Sequence, residues 1–184
     1  MTQKASVAVK TENPMHAIML EKITLNTGAG GDVQKLEKYK KILERITGGQ
    51  KIMTVITQKR TTFGVPRRKP ISAIVTLRGE KTKGLLEKLL QAVENSLKVS
   101  QFDSEGNFSF GVVEYINIPG IKYDPDIGIL GFDVCVTLKR PGFRVKRRKI
   151  RPVKIGKHHR ITRQEAMEWV SKNFNVKIIE KEVI

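Results

Sequence analysis

The sequence predicts an α+β fold, a largely antiparallel sheet with helices packed on one face, plus an extended basic loop or arm. Segments of alternating or β-branched apolar residues predict strands, stripes at helical spacing predict helices between them, and Gly-rich turns separate the two. The 184 residues suit one domain. We expect a flexible N-terminal tail at 1–14 and a single α+β domain at 15–184, with a basic insertion at 139–163.

The first half of the chain predicts three strands and one helix. Residues 18–25, IMLEKITL, are typical of a strand that ends at a Gly-rich turn. Asp32 can cap a helix that Gly48 and Gly49 close. Its apolar positions are Val33, Leu36, Tyr39, Leu43 and Ile46. Strands are then expected at 52–57 and 71–77, the second with strict alternation.

The second half predicts two helices and two strands. A leucine-rich stripe over 82–98 indicates a helix that packs on a sheet. Strands are expected at 108–116 and 132–138, and the second alternates apolar and polar residues. Thr162 followed by Glu165 forms a capping box, so a last helix should start there.

The charge indicates a polyanionic partner. Lys and Arg number 35 against 18 Asp and Glu, a net charge of +17 with a sequence pI near 10.1. Nucleic acid is the leading partner, because such charge repels itself in a compact protein unless a partner neutralises it. A merely soluble cationic protein is the alternative. No apolar run is long enough to span a bilayer, and no apolar leader opens the chain, so we expect a cytoplasmic protein without a membrane partner.

Two basic segments are candidate RNA contacts. Residues 139–163 contain no Asp or Glu, and their Pro and Gly residues exclude one long helix, so we expect an arm that orders on RNA. A solvated or nuclear-targeting tract is the alternative. Its candidate contacts are Arg144, Lys146, Arg147, Arg148, Lys149, Arg151, Lys154, Lys157, His158, His159 and Arg160. A second loop, within 57–70, offers Lys59, Arg60, Phe63, Gly64, Arg67, Arg68 and Lys69.

Catalytic, metal and cofactor sites have little support. No motif marks a nucleophile or an acid–base pair, and an enzyme would have to use Asp103, Glu105 or Glu114 near turns. Cations flank the His158–His159 pair and would repel a metal. The glycines at 28, 30 and 31 follow neither the dinucleotide nor the P-loop spacing. We therefore expect a non-enzyme without metal or cofactor.

Four segments in order resemble one known family. They are EKITLNTGAG at 21–30, VTLRGEK at 75–81, GNFSFGVVEYINIPGIKYDP at 106–125 and GFDVCVTLKRPGF at 131–143. Together they resemble the universal 5S-rRNA-binding family, numbered five in the large ribosomal subunit, over about residues 14–174. The run after Lys139 departs from the bacterial pattern and is similar to the archaeal and eukaryotic branch.

The resemblance implies a structural ribosomal protein of the central protuberance. Its partners would be 5S rRNA, the large-subunit rRNA, P-site tRNA, neighbouring ribosomal proteins and a bridge protein of the small subunit. It implies tRNA contact for the 57–70 loop, and for the arm we expect rRNA docking. The positions matching 5S rRNA contacts are Asn26, Thr27, Gln50, Lys51, Thr76 and Arg78. An RNA-processing enzyme and a general nucleic-acid coat protein are the alternative functions.

Overall fold

The computed structural model describes residues 13–58 and 67–179, and their central element is a five-stranded sheet. The strand order is β2-β3-β1-β6-β5, and every neighbouring pair is antiparallel. In chain order the elements are β1 (Met19–Gly28), α1 (Val33–Thr47), β2 (Met53–Ile56), β3 (Pro70–Leu77), α2 (Lys81–Gln91), β4 (Ser96–Lys98), β5 (Phe108–Val112), β6 (Phe132–Lys139), α3 (Arg144–Arg147), α4 (Arg163–Phe174) and β7 (Lys177–Ile179). The predicted α+β class is confirmed.

One face of the sheet forms the core with the helices. Ile23, Leu25, Val75, Val134 and Val136 are fully buried, because alternate residues of each strand point to the same face. The helices cover this face with a second set of buried side chains: Leu36, Tyr39, Ile42 and Leu43 of α1, and Leu86, Leu89 and Leu90 of α2. The other face carries most of the polar residues of the strands, and there the side chains are exposed or half-buried.

Helix α1 begins and ends where the sequence predicts. The Asp32 carboxylate accepts hydrogen bonds from the backbone N–H groups of Gln34 and Lys35, and Gly48 closes the helix at a φ of 68°. The apolar positions at helical spacing differ in burial: Leu36, Tyr39 and Leu43 are buried. Ile46 is half-buried, Val33 is exposed, and Ile42 is buried as well. Val33 is the first residue of the helix, and it lies in an exposed first turn with Gln34 and Lys35.

The second helix is shorter than its leucine spacing predicts. Helix α2 ends at Gln91, and the expected extent to residue 98 is wrong. Glu94 and Asn95 adopt left-handed φ values of 56° and 51°, which end the helix. Leu97 then lies in β4, which pairs in parallel with β7, so that Leu97 is opposite Ile178. The spacing of leucines suggested a longer helix because Leu97 is also buried, although it lies in a strand.

Strand β5 also ends early, and the last helix follows its prediction. The expected strand at 108–116 stops at Val112, and a single 3₁₀ turn over Tyr115–Asn117 buries the Tyr115 ring. At α4 the Thr162 backbone N–H donates to Glu165 Oε2 at 2.9 Å, and the Thr162 hydroxyl accepts from the Glu165 N–H at 3.4 Å. The predicted capping box is confirmed.

The basic run at 139–163, hereafter the basic loop, is folded back on the domain at both ends. Its arginine at position 140 is buried and pairs with Glu165, and Ile161 is buried in the core. Between them lie the short helix α3 and a 3₁₀ turn at Lys157–His159. The structure therefore shows a loop with two anchored ends where the sequence predicts an extended arm or loop.

Candidate nucleic-acid interface

The face of the sheet opposite the helices, hereafter the open face, carries two of the predicted 5S rRNA contacts. Antiparallel register places Thr24 of β1 opposite Thr76 of β3 and opposite Cys135 of β6. Asn26 is on the same face two residues further along β1, opposite Asp133. Asn26 and Thr76 are thus diagonal neighbours, close enough for one RNA segment to contact both. Thr76 is exposed and its neighbour Val75 is buried, in agreement with the alternation predicted for this strand.

Thr27 lies on the other side of the sheet. Its side chain is buried, and its hydroxyl donates a hydrogen bond to the Ala73 carbonyl at 3.1 Å. The hydroxyl therefore joins β1 to β3 within the fold and is not presented on the open face. A contact between RNA and this side chain has no support in the geometry.

Gln50 and Arg78 line one cleft of 550 Å³, although they are 28 positions apart in the sequence. The cleft lies between the end of α1, the start of α2 and residues 118–121. Its cationic side chains among the described residues are Arg45, Arg78, Lys81 and Lys88. Arg45 pairs with Asp124 and Arg78 with Glu21, so the two lysines carry most of the attraction for phosphate. Lys51, beside Gln50, is exposed.

A buried carboxylate connects this cleft to the basic loop. Glu21 has a side chain that is only 1% exposed, at an irregularity in the pairing of β1 with β6. Its Oε1 lies 3.6 Å from Nη1 of Arg78 and also pairs with Arg147 of α3. Sequence reasoning missed Glu21. The pattern that could have revealed it is alternation, because Glu21 is in step with Ile23 and Leu25 and its carboxylate should therefore point to the same, buried face of the sheet.

The candidate contacts of the basic loop are exposed, with one exception. His159 is half-buried, and its Nε2 lies 2.8 Å from the Pro141 carbonyl oxygen, so this ring joins the beginning of the basic loop to its end. The exposed candidates are Arg144, Lys146, Arg147, Arg148, Lys149, Arg151, Lys154, Lys157, His158 and Arg160. This dense cationic surface is suited to an RNA backbone.

The second basic loop is described only at its base. Thr57 exchanges backbone hydrogen bonds with Arg68 and Lys69, and the Arg67 Nε donates to the Gln58 carbonyl at 3.0 Å. These contacts hold together the two strand ends that flank the loop, at the base of a hairpin between β2 and β3. Lys59, Arg60, Phe63 and Gly64 lie outside the described residues, as do residues 1–12 of the predicted tail.

One segment of this basic protein is acidic. Residues 113–133 contain four carboxylates and one lysine, a net charge of −3. Asp124 accepts a hydrogen bond from Arg45 at 2.6 Å, which lowers the pKa of this carboxyl below its ordinary value. Val113 and Ile129 of the same segment are exposed, at 81% and 61%. The charge and the exposed apolar side chains of this segment suit contact with a basic protein.

Two of the three carboxylates considered for catalysis have local partners. Asp103 accepts a hydrogen bond from the Ser104 N–H at 2.7 Å within a turn, and Glu105 pairs with Lys146. Burial raises the pKa of the Cys135 thiol, and Asp133 adds to this effect, so the thiol is not activated as a nucleophile. Within residues 13–58 and 67–179 no three His, Cys, Asp or Glu side chains are grouped to hold a metal, and no helix is long and apolar enough to cross a membrane.

Comparison with known proteins identifies the family. Residues 70–169 match the profile for the C-terminus of the ribosomal protein L5 family. The chain is 46% identical to large ribosomal subunit protein uL5 of Sulfurisphaera tokodaii, over 93% of this chain and 97% of that protein. It is 44% identical to uL5 of Methanosphaera stadtmanae, over 90% of this chain and 99% of that protein. The chain is also 44% identical to uL5 of Nanoarchaeum equitans, over 91% of this chain and 99% of that protein. The chain therefore belongs to the archaeal-type uL5 family of the large ribosomal subunit, a family of structural ribosomal proteins and not of enzymes.

Proposed function

We propose that the protein binds 5S rRNA and helps to attach it to the large-subunit rRNA in the central protuberance. The observation that carries this proposal is the placement of Asn26 and Thr76 on the open face, with Arg78 two residues after Thr76, just past the end of β3. Amide and hydroxyl groups can hydrogen-bond RNA base edges and sugars, while the arginine neutralises a phosphate. One RNA segment can use all three.

The cleft that holds Gln50 extends this surface toward α1 and α2. Its four cations would follow the phosphate backbone, and the Gln50 amide can donate and accept hydrogen bonds at its rim. Specific contacts would thus come from the open face, and most of the affinity from the cleft. This division is typical of RNA recognition, in which phosphate contacts position and base contacts specify.

The basic loop would dock on the large-subunit rRNA. Glu21 connects the loop to Arg78 through its pairs with both arginines, so the two RNA surfaces are held at a set spacing. A protein with two cationic surfaces in one domain can join two RNA segments. The His158 ring, exposed at the loop, can contact phosphate or stack on a base.

We assign the remaining contacts to the hairpin between β2 and β3 and to the acidic segment at 113–133. The hairpin loop, with Arg67, Arg68 and Lys69 at its base and Lys59, Arg60, Phe63 and Gly64 beyond, would contact P-site tRNA. The acidic segment would meet a basic protein, such as a bridge protein of the small subunit, because its net charge of −3 attracts cationic side chains.

The test is selective binding. Purified protein should retain 5S rRNA at about 0.2 M salt in the presence of excess tRNA, because specific contacts persist when counterion release weakens the non-specific part. A fluorescence anisotropy titration with labelled 5S rRNA measures this. Loss of the preference at that salt concentration would overturn the proposal.

A general nucleic-acid coat protein is distinguished by the same titration. Equal affinity for duplex DNA and 5S rRNA at matched salt would indicate a coat protein, since both polymers present a similar density of phosphates. The proposed 5S rRNA function requires tighter binding to 5S rRNA than to duplex DNA. The affinity for 5S rRNA should also fall less steeply with salt concentration than the affinity for duplex DNA.

A further inference from the structure

A separate cavity lies beneath the basic loop, where the loop folds back over the end of β6. Its volume is 330 Å³. Both apolar and cationic side chains line it. The apolar ones are Leu138, Phe143, Ile155 and Ile161, and Ile161 belongs to the core. The cations are Lys139, Arg140, Lys146, Lys154 and Arg160, and Glu105 and the His159 ring complete the lining.

A buried arginine adds charge to the wall. Arg140 is only 7% exposed; its Nη2 donates to Glu165 at 2.7 Å and its Nη1 to the Arg160 carbonyl at 3.3 Å. Its Nε is buried without a hydrogen-bond acceptor among the described residues. The wall therefore holds more positive charge and more donors than the protein itself satisfies.

The one carboxylate of the lining is weakly held. Glu105 pairs with Lys146 at 3.4 Å, and both side chains are about half exposed, at 53% and 50%. An exposed ion pair of this kind contributes little to stability, because water competes for both partners. A phosphate that approaches Lys146 can displace Glu105 at small cost.

We propose that this cavity binds one unpaired nucleotide of rRNA, turned out of its stack, with the base against the apolar side chains and the phosphate on the cations. Phe143 offers the aromatic surface. The amino group of Lys146 and the guanidinium carbon of Arg147 lie 5.6 Å and 5.4 Å from its ring centroid, so a base that stacks on this ring brings its phosphate close to cations. The volume lies at the lower end of the roughly 300–1,000 Å³ of small-ligand pockets, which suits one nucleotide and excludes a duplex.

An acidic peptide fits the lining less well. A carboxylate would satisfy the cations, but an extended peptide would leave the apolar side without a flat partner for Phe143. A nucleotide supplies both a flat base and an anionic phosphate at the same time. The proposal deepens the proposed docking of the basic loop on rRNA, and it does not depend on 5S rRNA recognition.

The experiment is a methyl NMR titration of the full chain, following Ile155 and Ile161. The probes are uridine and adenosine 5′-monophosphates, ribose 5-phosphate, inorganic phosphate and a short glutamate peptide. The nucleotides should shift both methyl signals saturably and bind at least about fivefold more tightly than ribose 5-phosphate, because stacking of a base on an aromatic ring adds affinity. Equal affinity for ribose 5-phosphate, tighter binding of the peptide, or no saturable shift would overturn the proposal.

Two variants separate the base from the phosphate. Phe143→Leu should remove most of the preference for nucleotides over ribose 5-phosphate, whereas Lys154→Gln should weaken both ligands. Lys35→Gln, which removes one charge from the exposed surface of α1, is the matched control and should change neither. Melting curves of each variant check the fold, and Lys154 is exposed enough to be replaced without damage to the core.

The outcome is independent of the 5S rRNA assay. If the nucleotides fail to bind while 5S rRNA binding is intact, only the nucleotide cavity is overturned. If wild-type protein binds the nucleotides and shows no preference for 5S rRNA, the proposed 5S recognition fails and the cavity remains.

Discussion

Arg140 and Glu165 form an ion pair of 2.7 Å that joins the end of β6 to the first turn of α4. Twenty-four residues separate the two in sequence, and they include nearly all of the basic loop. The pair therefore closes the base of a loop whose many positive charges repel one another. The same carboxylate also caps α4, so one side chain stabilises both the helix start and the loop.

This pair predicts a stability that declines in acid. Burial alone would raise the pKa of Glu165, but hydrogen bonds from the Thr162 N–H and from Arg140 outweigh it and lower the pKa below its ordinary value. Stability from the ionised form is therefore complete above the unfolded-state value and is lost as the pH falls through the folded-state pKa. Between about pH 5 and about pH 3 the melting temperature of the wild type should fall more steeply than that of Glu165→Gln. Parallel slopes for the two proteins would contradict this.

Glu21 should set the spacing between the cleft and the basic loop. Glu21→Gln removes the charge that holds Arg78 and Arg147, so hydrogen exchange at 144–147 should become faster and unfolding should need about 1–2 kcal/mol less. The preference for 5S rRNA over tRNA should decrease, because Arg78 loses its fixed position. Glu37→Gln, on the exposed surface of α1, makes the same charge change and should leave the preference and the exchange rates unchanged.

Asn26→Ala with Thr76→Ala should reduce binding of 5S rRNA by about 1–3 kcal/mol, the sum of a few lost hydrogen bonds. Thermal stability should change by less than about 0.5 kcal/mol, since neither side chain is in the core. The control is Ser109→Ala, on the same face of edge strand β5. Anisotropy titrations and melting curves measure both quantities, and a large stability loss in the double variant would reassign the two residues to the fold.

Thr27 should behave in the opposite way to its neighbour Asn26. Thr27→Val keeps the shape of the side chain but removes the hydrogen bond to Ala73, which should cost about 1–2 kcal/mol of stability. Affinity for 5S rRNA should be unchanged in the folded variant. A selective loss of 5S rRNA affinity without any change in the melting temperature would show that the hydroxyl contacts RNA after all.

Gly106 should tolerate no side chain. A Cβ atom there would lie 2.5 Å from Cγ2 of Ile161, and the backbone has a φ of +78°. Gly106→Ala should therefore cost about 2–4 kcal/mol, through overpacking added to backbone strain. Gly48→Ala has a similar φ of +68° with nothing within 4 Å, so it should cost only about 1–2 kcal/mol. Chemical denaturation compares the two, and equal costs would mean that Ile161 can move aside.

Local features of the sequence were sufficient for much of the fold. The caps at Asp32 and Thr162 act through hydrogen bonds to residues within three positions, so a short stretch of sequence contains both partners. The alternation in 132–138 shows which side chains enter the core, because a strand has a period of two. The length of α2 could not be predicted in this way, since its end depends on a pairing of β4 with β7 about 80 positions away.

For the candidate sites, too, the sequence determined some features and the tertiary structure decided others. Sequence alone determined that the partner is anionic, that Thr76 faces away from the core and that 139–163 is the most basic part of the chain, because charge and strand alternation are properties of neighbouring residues. Only the tertiary structure decided that Thr27 is buried, that Glu21 joins Arg78 to Arg147, and that Phe143 and Ile155 share one cavity. The physical reason is that burial, ion pairing and cavity walls depend on distances in space between segments that are far apart along the chain.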